Sequence, residues 1–280
     1  MIPFDGDATG TFTGNQITGN LATGVLVGSN AAPRLSGNTI EDGDAGALYI
    51  DSSGGEFEGN VLRNQQIAVE TTGRAAPLID GNEIIDSGAG GLVFGDGAEG
   101  VARGNTIRNP GGIGIQVTGT AMPRLEGNTI DSGAIPVEGD AQRVGILYAG
   151  ESAGVAIDND VRNFLVGIQI SGSSTPTVEA NVIDGGAAVG VGVLYGEEAA
   201  GASYANETLN HLVAFQIGGD AAPIVERNTV QSAEVASFLI SGSAAGSLDA
   251  NTCASGVEGI VTTDSAAPVL GSNDCTVFNG

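Results

Sequence analysis

An asparagine recurs at a nearly constant interval along the whole chain. The interval is 22 or 23 residues in nine of eleven cases, and 31 and 25 residues in the other two. A repeat of this length, sustained over most of a chain, is typical of a solenoid in which each repeat stacks on the next. The recurring residues are Asn15, Asn38, Asn60, Asn82, Asn105, Asn128, Asn159, Asn181, Asn206, Asn228, Asn251 and Asn273.

The residues around each asparagine predict two short strands joined by a tight turn. In the segment 124–130, Leu125 and Ile130 are apolar, whereas their neighbours are polar or glycine, and Gly127-Asn128 lies between them. This is period-2 alternation interrupted by two turn residues. A third strand follows in each repeat, for example at 114–117 and 167–170.

Three strands per repeat can close into one turn of a coil, called a rung here. We therefore predict an all-β parallel β-helix of about twelve rungs, with residues 1–280 forming a single domain. Asparagine tolerates the positive φ of a tight turn, and stacked amides about 4.8 Å apart can hydrogen-bond from rung to rung. We interpret the asparagine column as structural.

The Gly-Asn-Thr-Ile sequences at 37–40, 104–107 and 127–130 resemble the repeats of the right-handed parallel β-helix family, the pectate-lyase-like fold. The resemblance extends over nearly the whole chain. It implies the fold but not the function, because that family includes lyases, hydrolases, epimerases, phage tailspikes, adhesins and structural spacers.

Charge limits the partners that this chain can bind. There are 9 basic residues, all arginines, against 33 acidic ones, for a net charge of −24. Long-range repulsion opposes binding to nucleic acid or to an anionic membrane. We predict no cofactor. Acidic turns such as 96–100 could bind calcium weakly, but none matches a strict calcium-loop pattern and a solvated turn is the preferred interpretation.

The ends of the sequence shape the predicted location and assembly. Residues 1–5 do not read as a signal peptide, and no run of 18 apolar residues predicts insertion into a membrane. Because proteins of the resembled family mostly act outside the cytoplasm, we expect an extracellular or cell-surface location. Neither end shows a polar cap, which predicts self-association through the end rungs.

The two cysteines lie 22 residues apart in the inward column of the last two rungs. Stacking places Cys253 and Cys275 within range of a disulfide. The alternative is that both are small apolar residues that fill the core.

The third strand carries the candidate ligand site. Counted back from the following turn, one column alternates aromatic residues with glutamines through rungs five to nine. If this column points outward in the even rungs as it does in the odd ones, the rings and amides are exposed and suit a sugar chain. If the even rungs are shifted by one residue, the rings lie in the core. The column is Gln116, Tyr148, Gln169, Tyr195 and Gln216.

The longest insertion in the repeat precedes this strand in rung six and supplies candidate catalytic residues. Glu138, Asp140 and Arg143 could support acid–base chemistry on a polysaccharide, or they could belong to a solvated loop. His211 is the only histidine, and the sequence suggests no partner for it.

Two functional classes follow. The first is a non-catalytic β-solenoid that acts as a scaffold, an adhesin segment or a carbohydrate-binding surface and that assembles end to end. The alternative is a polysaccharide lyase or glycoside hydrolase with its groove along the third-strand face at rungs five to nine. The regularity of the repeats favours the first class.

Overall fold

The chain folds into the predicted parallel β-helix. The computed structural model describes residues 1–133, 143–186 and 190–279, and in this part of the chain the structure is all-β, with about 11 turns. Nothing in the described ranges forms a helix long and apolar enough to cross a membrane. The prediction of fold class is confirmed.

Each rung contributes to three parallel columns of strands. The first-strand column, which precedes the asparagine, is a sheet of 12 strands within the described residues. Its strands are Thr11–Thr13, Arg34–Ser36, Glu56–Glu58, Leu78–Asp80, Val101–Arg103, Arg124–Glu126, Val155–Ile157, Thr177–Glu179, Ala202–Tyr204, Ile224–Glu226, Ser247–Asp249 and Val269–Leu270.

The second- and third-strand columns form one further sheet, because two long strands run from one column into the other. These long strands are Thr39–Tyr49 and Val61–Thr71. The other second strands are Gln16–Thr18, Glu83–Ile85, Thr106–Arg108, Thr129–Asp131, Asp160–Arg162, Val182–Asp184, Glu207–Leu209 and Thr229–Val230. The other third strands are Ile2–Phe4, Thr23–Val27, Gly90–Phe94, Ile113–Val117, Val144–Tyr148, Val166–Ile170, Val191–Tyr195, His211–Ile217, Ala233–Ile240, Glu258–Thr262 and Val277–Asn279.

The asparagine column is a continuous hydrogen-bonded ladder, as predicted. The Nδ2 of each asparagine from Asn15 to Asn251 donates to the Oδ1 of the next, at 2.8–3.0 Å. The backbone N–H of Asn105 also donates to Asn128 Oδ1, and Asn105 Nδ2 donates to the carbonyl of Ile79. These bonds satisfy the buried amides and fix the register between adjacent rungs.

From Asn15 to Asn251, the residue before each ladder asparagine has a positive φ. Gly104 and Gly127 both have φ 60°, and Ala180 and Ala205 hold the same corner at 53° and 51°. A residue with a Cβ is disfavoured in this conformation. Glycine holds the corner in the first six rungs, and other residues hold it in the next five.

A second glycine column bends the chain as it enters the third strand. A Cβ on Gly114 would overlap Ile130 Cγ2, a core side chain of the second strand, and would lie 2.6 Å from the carbonyl oxygen of Gly145. Ile115 and Val117 are also buried in the core, whereas Ile113 and Gln116 are half-buried on the outside. The third strand therefore has two outward positions and a bend between them.

Candidate functional site

The rungs stay in register through the third strand and the turn that follows it, with Val117 paired to Tyr148 and Arg124 paired to Val155. Gln116 pairs in register with Leu147, which pairs with Gln169, and Gln169 pairs with Leu194, which pairs with Gln216. The outward column therefore alternates glutamine with leucine. Leu147 and Leu194 are the members that the sequence analysis missed.

The expected exposure of the tyrosines is wrong. Tyr148 and Tyr195 are 0 % exposed and lie in the core. Each is one residue beyond the outward position of its rung and stacks on an inward neighbour, Tyr148 on Val117 and Tyr195 on Ile170. The aromatic strip does not exist, and the predicted site keeps Gln116, Gln169 and Gln216 on the surface.

The core makes room for the rings through small residues in the first strand that follows. Ala102 follows Phe94, Ala156 follows Tyr148 and Ser203 follows Tyr195, all at inward positions. The Tyr195 hydroxyl lies 2.8 Å from Ser203 Oγ, so this buried phenol has a hydrogen-bond partner. This pairing of large and small residues was visible in the sequence and marks the rings as buried.

Burial changes the acid–base behaviour of the inner tyrosines. Desolvation raises the pKa of Tyr49, Tyr148 and Tyr195 well above the ordinary tyrosine range, because the phenolate loses its hydration in the core. None of the three phenols reaches solvent. They therefore stabilise the fold and do not act as surface acids.

The outward side of the third strands, called the uncharged face below, runs the length of the solenoid. Across the eleven third strands from Thr23–Val27 to Glu258–Thr262 it has two columns, and Glu70 and Glu258 are the only charged residues among their members. Five aliphatic members of the first column are at most 8 % exposed, so the second column presents most of the accessible side chains; the five are Ala45, Val144, Val166, Val213 and Ala236. The first column is Thr23, Ala45, Ile67, Gly90, Ile113, Val144, Val166, Val191, Val213, Ala236 and Glu258. The second column is Leu26, Leu48, Glu70, Val93, Gln116, Leu147, Gln169, Leu194, Gln216, Leu239 and Val261.

The other two sides of the solenoid carry the ion pairs. Arg103 on the first-strand side contacts Asp80 one rung away, with Nη2 and Oδ2 at 2.7 Å. Arg108 on the second-strand side contacts Glu83 at 2.7 Å. The hydrogen bond and charge of Asp80 raise the pKa of the Arg103 guanidinium. These ion pairs are exposed and lie on the first- and second-strand sides. They involve no residue of the uncharged face.

Of the three candidate catalytic residues, only Arg143 can be placed. Glu138 and Asp140 lie outside the described residues. The guanidinium of Arg143 donates to Ser132 Oγ at 3.1 Å, and Arg143 directly precedes Val144 on the uncharged face. The insertion of rung six therefore joins the solenoid at the edge of that face.

His211 occupies a core position. It is 1 % exposed, and its Nε2 lies 3.1 Å from the carbonyl oxygen of Ile183. Burial lowers the pKa of the imidazole, so the neutral form is favoured. Phe164 is buried at the equivalent place two rungs earlier, directly after the left-handed residue Asn163. His211 is thus a packing residue.

Cys253 and Cys275 form a disulfide, with their Cα atoms 5.1 Å apart. The bond links the last two rungs through the inward column, which is the first of the two arrangements that the sequence allowed. Within residues 1–133, 143–186 and 190–279, no group of three or more His, Cys, Asp or Glu side chains could hold a metal ion.

Solved structures with the same architecture are distant. The chain is 9 % identical to the catalytic domain of a GH87 α-1,3-glucanase in complex with tetrasaccharides, covering 96 % of this chain and 60 % of that one at a TM-score of 0.47. A thermostable GH87 α-1,3-glucanase from Streptomyces thermodiastaticus is 15 % identical, with 94 % and 62 % covered and a TM-score of 0.48. An alginate lyase from Paenibacillus sp. is 15 % identical, with 95 % and 89 % covered and a TM-score of 0.42. At these values the similarity concerns the fold alone.

The chain spans about 60 % of the length of the two glucanase structures. No curated protein matches it. The profile described as the right handed beta helix region matches residues 2–130, 67–211 and 144–280, which together reach nearly every residue. With the stacked parallel rungs and the asparagine ladder, this match shows that the chain belongs to the right-handed β-helix family.

Proposed function

We propose that this chain is a non-catalytic β-solenoid that serves as a rigid scaffold outside the cell or at its surface. The observation that supports this proposal best is the continuity of the stack. One amide ladder joins Asn15 to Asn273 without a break. At about 4.8 Å per rung, such a ladder defines a rod about 53 Å long.

The uncharged face is the surface on which the scaffold meets its partner. Leu147 and Leu194 supply aliphatic contact area, and the amides of Gln116, Gln169 and Gln216 can donate to and accept from hydroxyl groups. These properties favour a neutral ligand over a charged one. The carbohydrate-binding form of the proposal therefore concerns an uncharged polysaccharide.

The disulfide supports the proposed location. Disulfides persist in oxidising compartments and are rare in the cytosol, where thiols are kept reduced. The bond between Cys253 and Cys275 is thus consistent with a protein that acts outside the cytoplasm.

A panel of neutral and acidic polysaccharides tests the proposal. The purified chain is incubated with each polymer, with and without Ca²⁺, and both retention in affinity gels and release of reducing or unsaturated ends are measured. We expect no cleavage, and any retention should be limited to neutral polymers. Catalytic release of new ends from any polymer would overturn the proposal.

A polysaccharide lyase or glycoside hydrolase is the second candidate. The observation that favours it is the position of the rung-six insertion, which contains Glu138 and Asp140 and ends at Arg143 on the edge of the uncharged face. In this alternative, Glu138 and Asp140 would serve as acid and base on a sugar chain.

Substitutions within the insertion distinguish this candidate. If cleavage is found, Glu138→Gln and Asp140→Asn should each lower kcat by about 100-fold or more. Glu179→Gln, on the first-strand side, is the matched control and should leave kcat unchanged. Activity that survives both insertion variants would exclude these two carboxylates as the catalytic pair.

The scaffold proposal includes end-to-end stacking of the isolated chain. The ladder has a direction, since each asparagine donates to the one that follows it in sequence. A second copy stacked in the same direction would present Asn15 Oδ1 to the amide of Asn273. Light scattering in salt that screens the net charge should show species larger than a dimer, and a strict monomer at high concentration would contradict end-to-end stacking.

A further inference from the structure

The two columns of the uncharged face are self-complementary about rung six. With Leu147 as the centre of eleven positions, Gln116 and Gln169 are equidistant from it, and so are Val93 and Leu194. Farther out, Leu48 corresponds to Leu239, and Leu26 to Val261. Each correspondence joins two amides or two aliphatic side chains.

The first column has the same symmetry about Val144. Ile113 corresponds to Val166, Ile67 to Val213 and Ala45 to Ala236. A twofold axis along the third strand of rung six would therefore place every aliphatic side chain of one copy against an aliphatic side chain or a glycine of another. Such an isologous contact is the usual basis of a closed dimer.

The two charged residues of the face fit this symmetry. Glu70, in rung three, corresponds to Gln216 in rung nine, and Glu258, in rung eleven, corresponds to Thr23 in rung one. Each carboxylate would meet a side chain that can donate a hydrogen bond, which offsets its loss of water.

Other arrangements do not satisfy both carboxylates. If the axis passed through rung seven, Glu70 would face Val261 and Glu258 would face Ile67. If the two solenoids lay parallel, a twofold axis along the rod would exchange the two columns, so Glu70 would face Ile67 and Glu258 would face Val261 of the second copy. Both carboxylates would then lose water without gaining a hydrogen-bond donor, which is unfavourable. The antiparallel arrangement centred on Leu147 is the one that pairs all eleven rungs and gives both carboxylates a donor.

The footprint of the face is the size of a standard dimer interface. Ten intervals of about 4.8 Å and strands about 16 Å long give an area of about 800 Å² per copy. This value matches the half-interface of a standard protein complex, which is about 800 Å² per partner. The charged side chains of each copy lie mainly on the other two sides and in the turns. Forming the contact therefore does not remove any ion pair from water.

From these observations we propose that two copies of this chain pair side by side and antiparallel through their uncharged faces, with the twofold axis at Leu147. The partner is a second copy of the chain, and the contact is distinct from end-to-end stacking because it uses the length of the rod. The net charge of −24 per copy opposes the approach of two rods at long range. The pairing therefore strengthens as salt screens that repulsion.

Sedimentation equilibrium of the full chain, in about 0.15 M and about 1 M salt, measures the dissociation constant of the dimer. We expect a dimer that tightens at the higher salt. Leu147→Glu sets two carboxylates against each other on the axis and should weaken the dimer by about 100-fold or more. Ile224→Glu, at an exposed position on the first-strand side, is the matched control and should leave the dimer unchanged.

Site-specific crosslinking tests the geometry without relying on affinity. Both native cysteines are already bonded, so an introduced cysteine reports alone. Because facing sheets lie about 10 Å apart, too far for a direct disulfide, a short bifunctional thiol reagent is used. Leu147→Cys should crosslink to itself in the dimer, whereas Gln169→Cys should not, because its counterpart is Gln116. A mixture of Gln116→Cys and Gln169→Cys chains should crosslink.

Three outcomes would overturn the proposal. A chain that stays monomeric at both salt concentrations excludes the pairing. This holds even if the uncharged face is found to bind a neutral polysaccharide. Association that Leu147→Glu leaves unchanged, in a variant with the native circular dichroism spectrum, assigns the contact to another surface. Crosslinking of Gln169→Cys to itself indicates a different symmetry from the one proposed.

Discussion

The third-strand side of the solenoid and the two remaining sides are built from the same rungs, yet their surfaces differ. Along the third strands, 22 outward positions contain two charged residues, Glu70 and Glu258. The first- and second-strand sides carry paired charges such as Arg103 with Asp80 and Arg108 with Glu83. Because each position of the repeat forms its own column, one side of a solenoid can lose its charge while its neighbours retain theirs.

The largest expected effect is a difference in stability between substitutions at Leu147 and at Tyr148, the two residues that end the third strand of rung six. Tyr148→Ala should lower the free energy of unfolding by about 3–5 kcal/mol, because it empties a fully buried site. Leu147→Ala removes a half-exposed side chain and should cost about 1 kcal/mol or less. Urea unfolding of both variants measures the difference. Equal losses would mean that the inward and outward positions are wrongly assigned.

Alkaline pH tests the inner side of the same strands. Since the pKa values of Tyr49, Tyr148 and Tyr195 are raised in the folded state, the folded chain retains protons that the unfolded chain loses above about pH 10. The stability that they contribute is fully present below that pH. It falls by about 1.4 kcal/mol per tyrosine for each further pH unit.

Unfolding midpoints measured from about pH 8 to about pH 11, on both sides of the ordinary tyrosine pKa, report this decline in stability. Tyr148→Phe is the control, because it keeps the ring and should reduce the alkaline slope by one group. A phenolate absorbance that develops fully before unfolding would show that the rings are reached by solvent.

The corner between the first and second strands provides the next comparison. Asn128→Ala removes an amide bonded to Asn159, Ala102 and Asn105, and leaves buried partners unsatisfied. We expect a loss of about 2–3 kcal/mol in the free energy of unfolding. Asn15→Ala, at the first position of the ladder, should cost less, because its side chain donates only to Thr13 and Asn38. Equal melting shifts for the two variants would contradict a cooperative ladder.

The smallest effect belongs to the charged sides. Arg108→Ala breaks an ion pair whose side chains are 54 % and 39 % exposed, and should lower stability by less than about 1 kcal/mol. The loss should disappear in high salt, which screens exposed charges. Gln169→Ala on the uncharged face is the matched neutral substitution and should show no salt dependence. A large, salt-resistant loss for Arg108→Ala would show that the charged side stabilises the fold as strongly as the core does.

Most of the fold could be predicted from the sequence, because every rung repeats the same local requirements. The glycine at the left-handed corner, the asparagine amide beside it and the apolar residues on either side recur in register, so local and global preferences agree. The disulfide was one of two arrangements that the spacing allowed. Spacing alone could not select it, since stacked cysteines also serve as core residues.

The candidate site was harder to predict because strand parity depends on where counting begins. Aligning Tyr148 with Gln116 places a ring outside, whereas the paired register, with Tyr148 against Val117, places it inside. A shift of one residue exchanges the two sides of a strand, so a small counting difference reverses the assignment. Ala156 and Ser203, small residues in an otherwise bulky inward column, were the available signal.

At the inward position that ends the third strand, aromatic residues alternate with aliphatic ones through rungs five to nine. This alternation sets the number of rungs that can be added or removed without disturbing the core. Tyr148 and Tyr195 lie in even rungs, and Val117, Ile170 and Ile217 lie in odd ones. Removing two rungs, about 45 residues as judged by the repeat length, joins like to like and preserves the order of both the core and the outer column. Removing a single odd rung would bring two rings into adjacent layers, and removing a single even rung would place two glutamines in succession outside. Duplication and loss in pairs is therefore the neutral route by which relatives of this chain would lengthen or shorten.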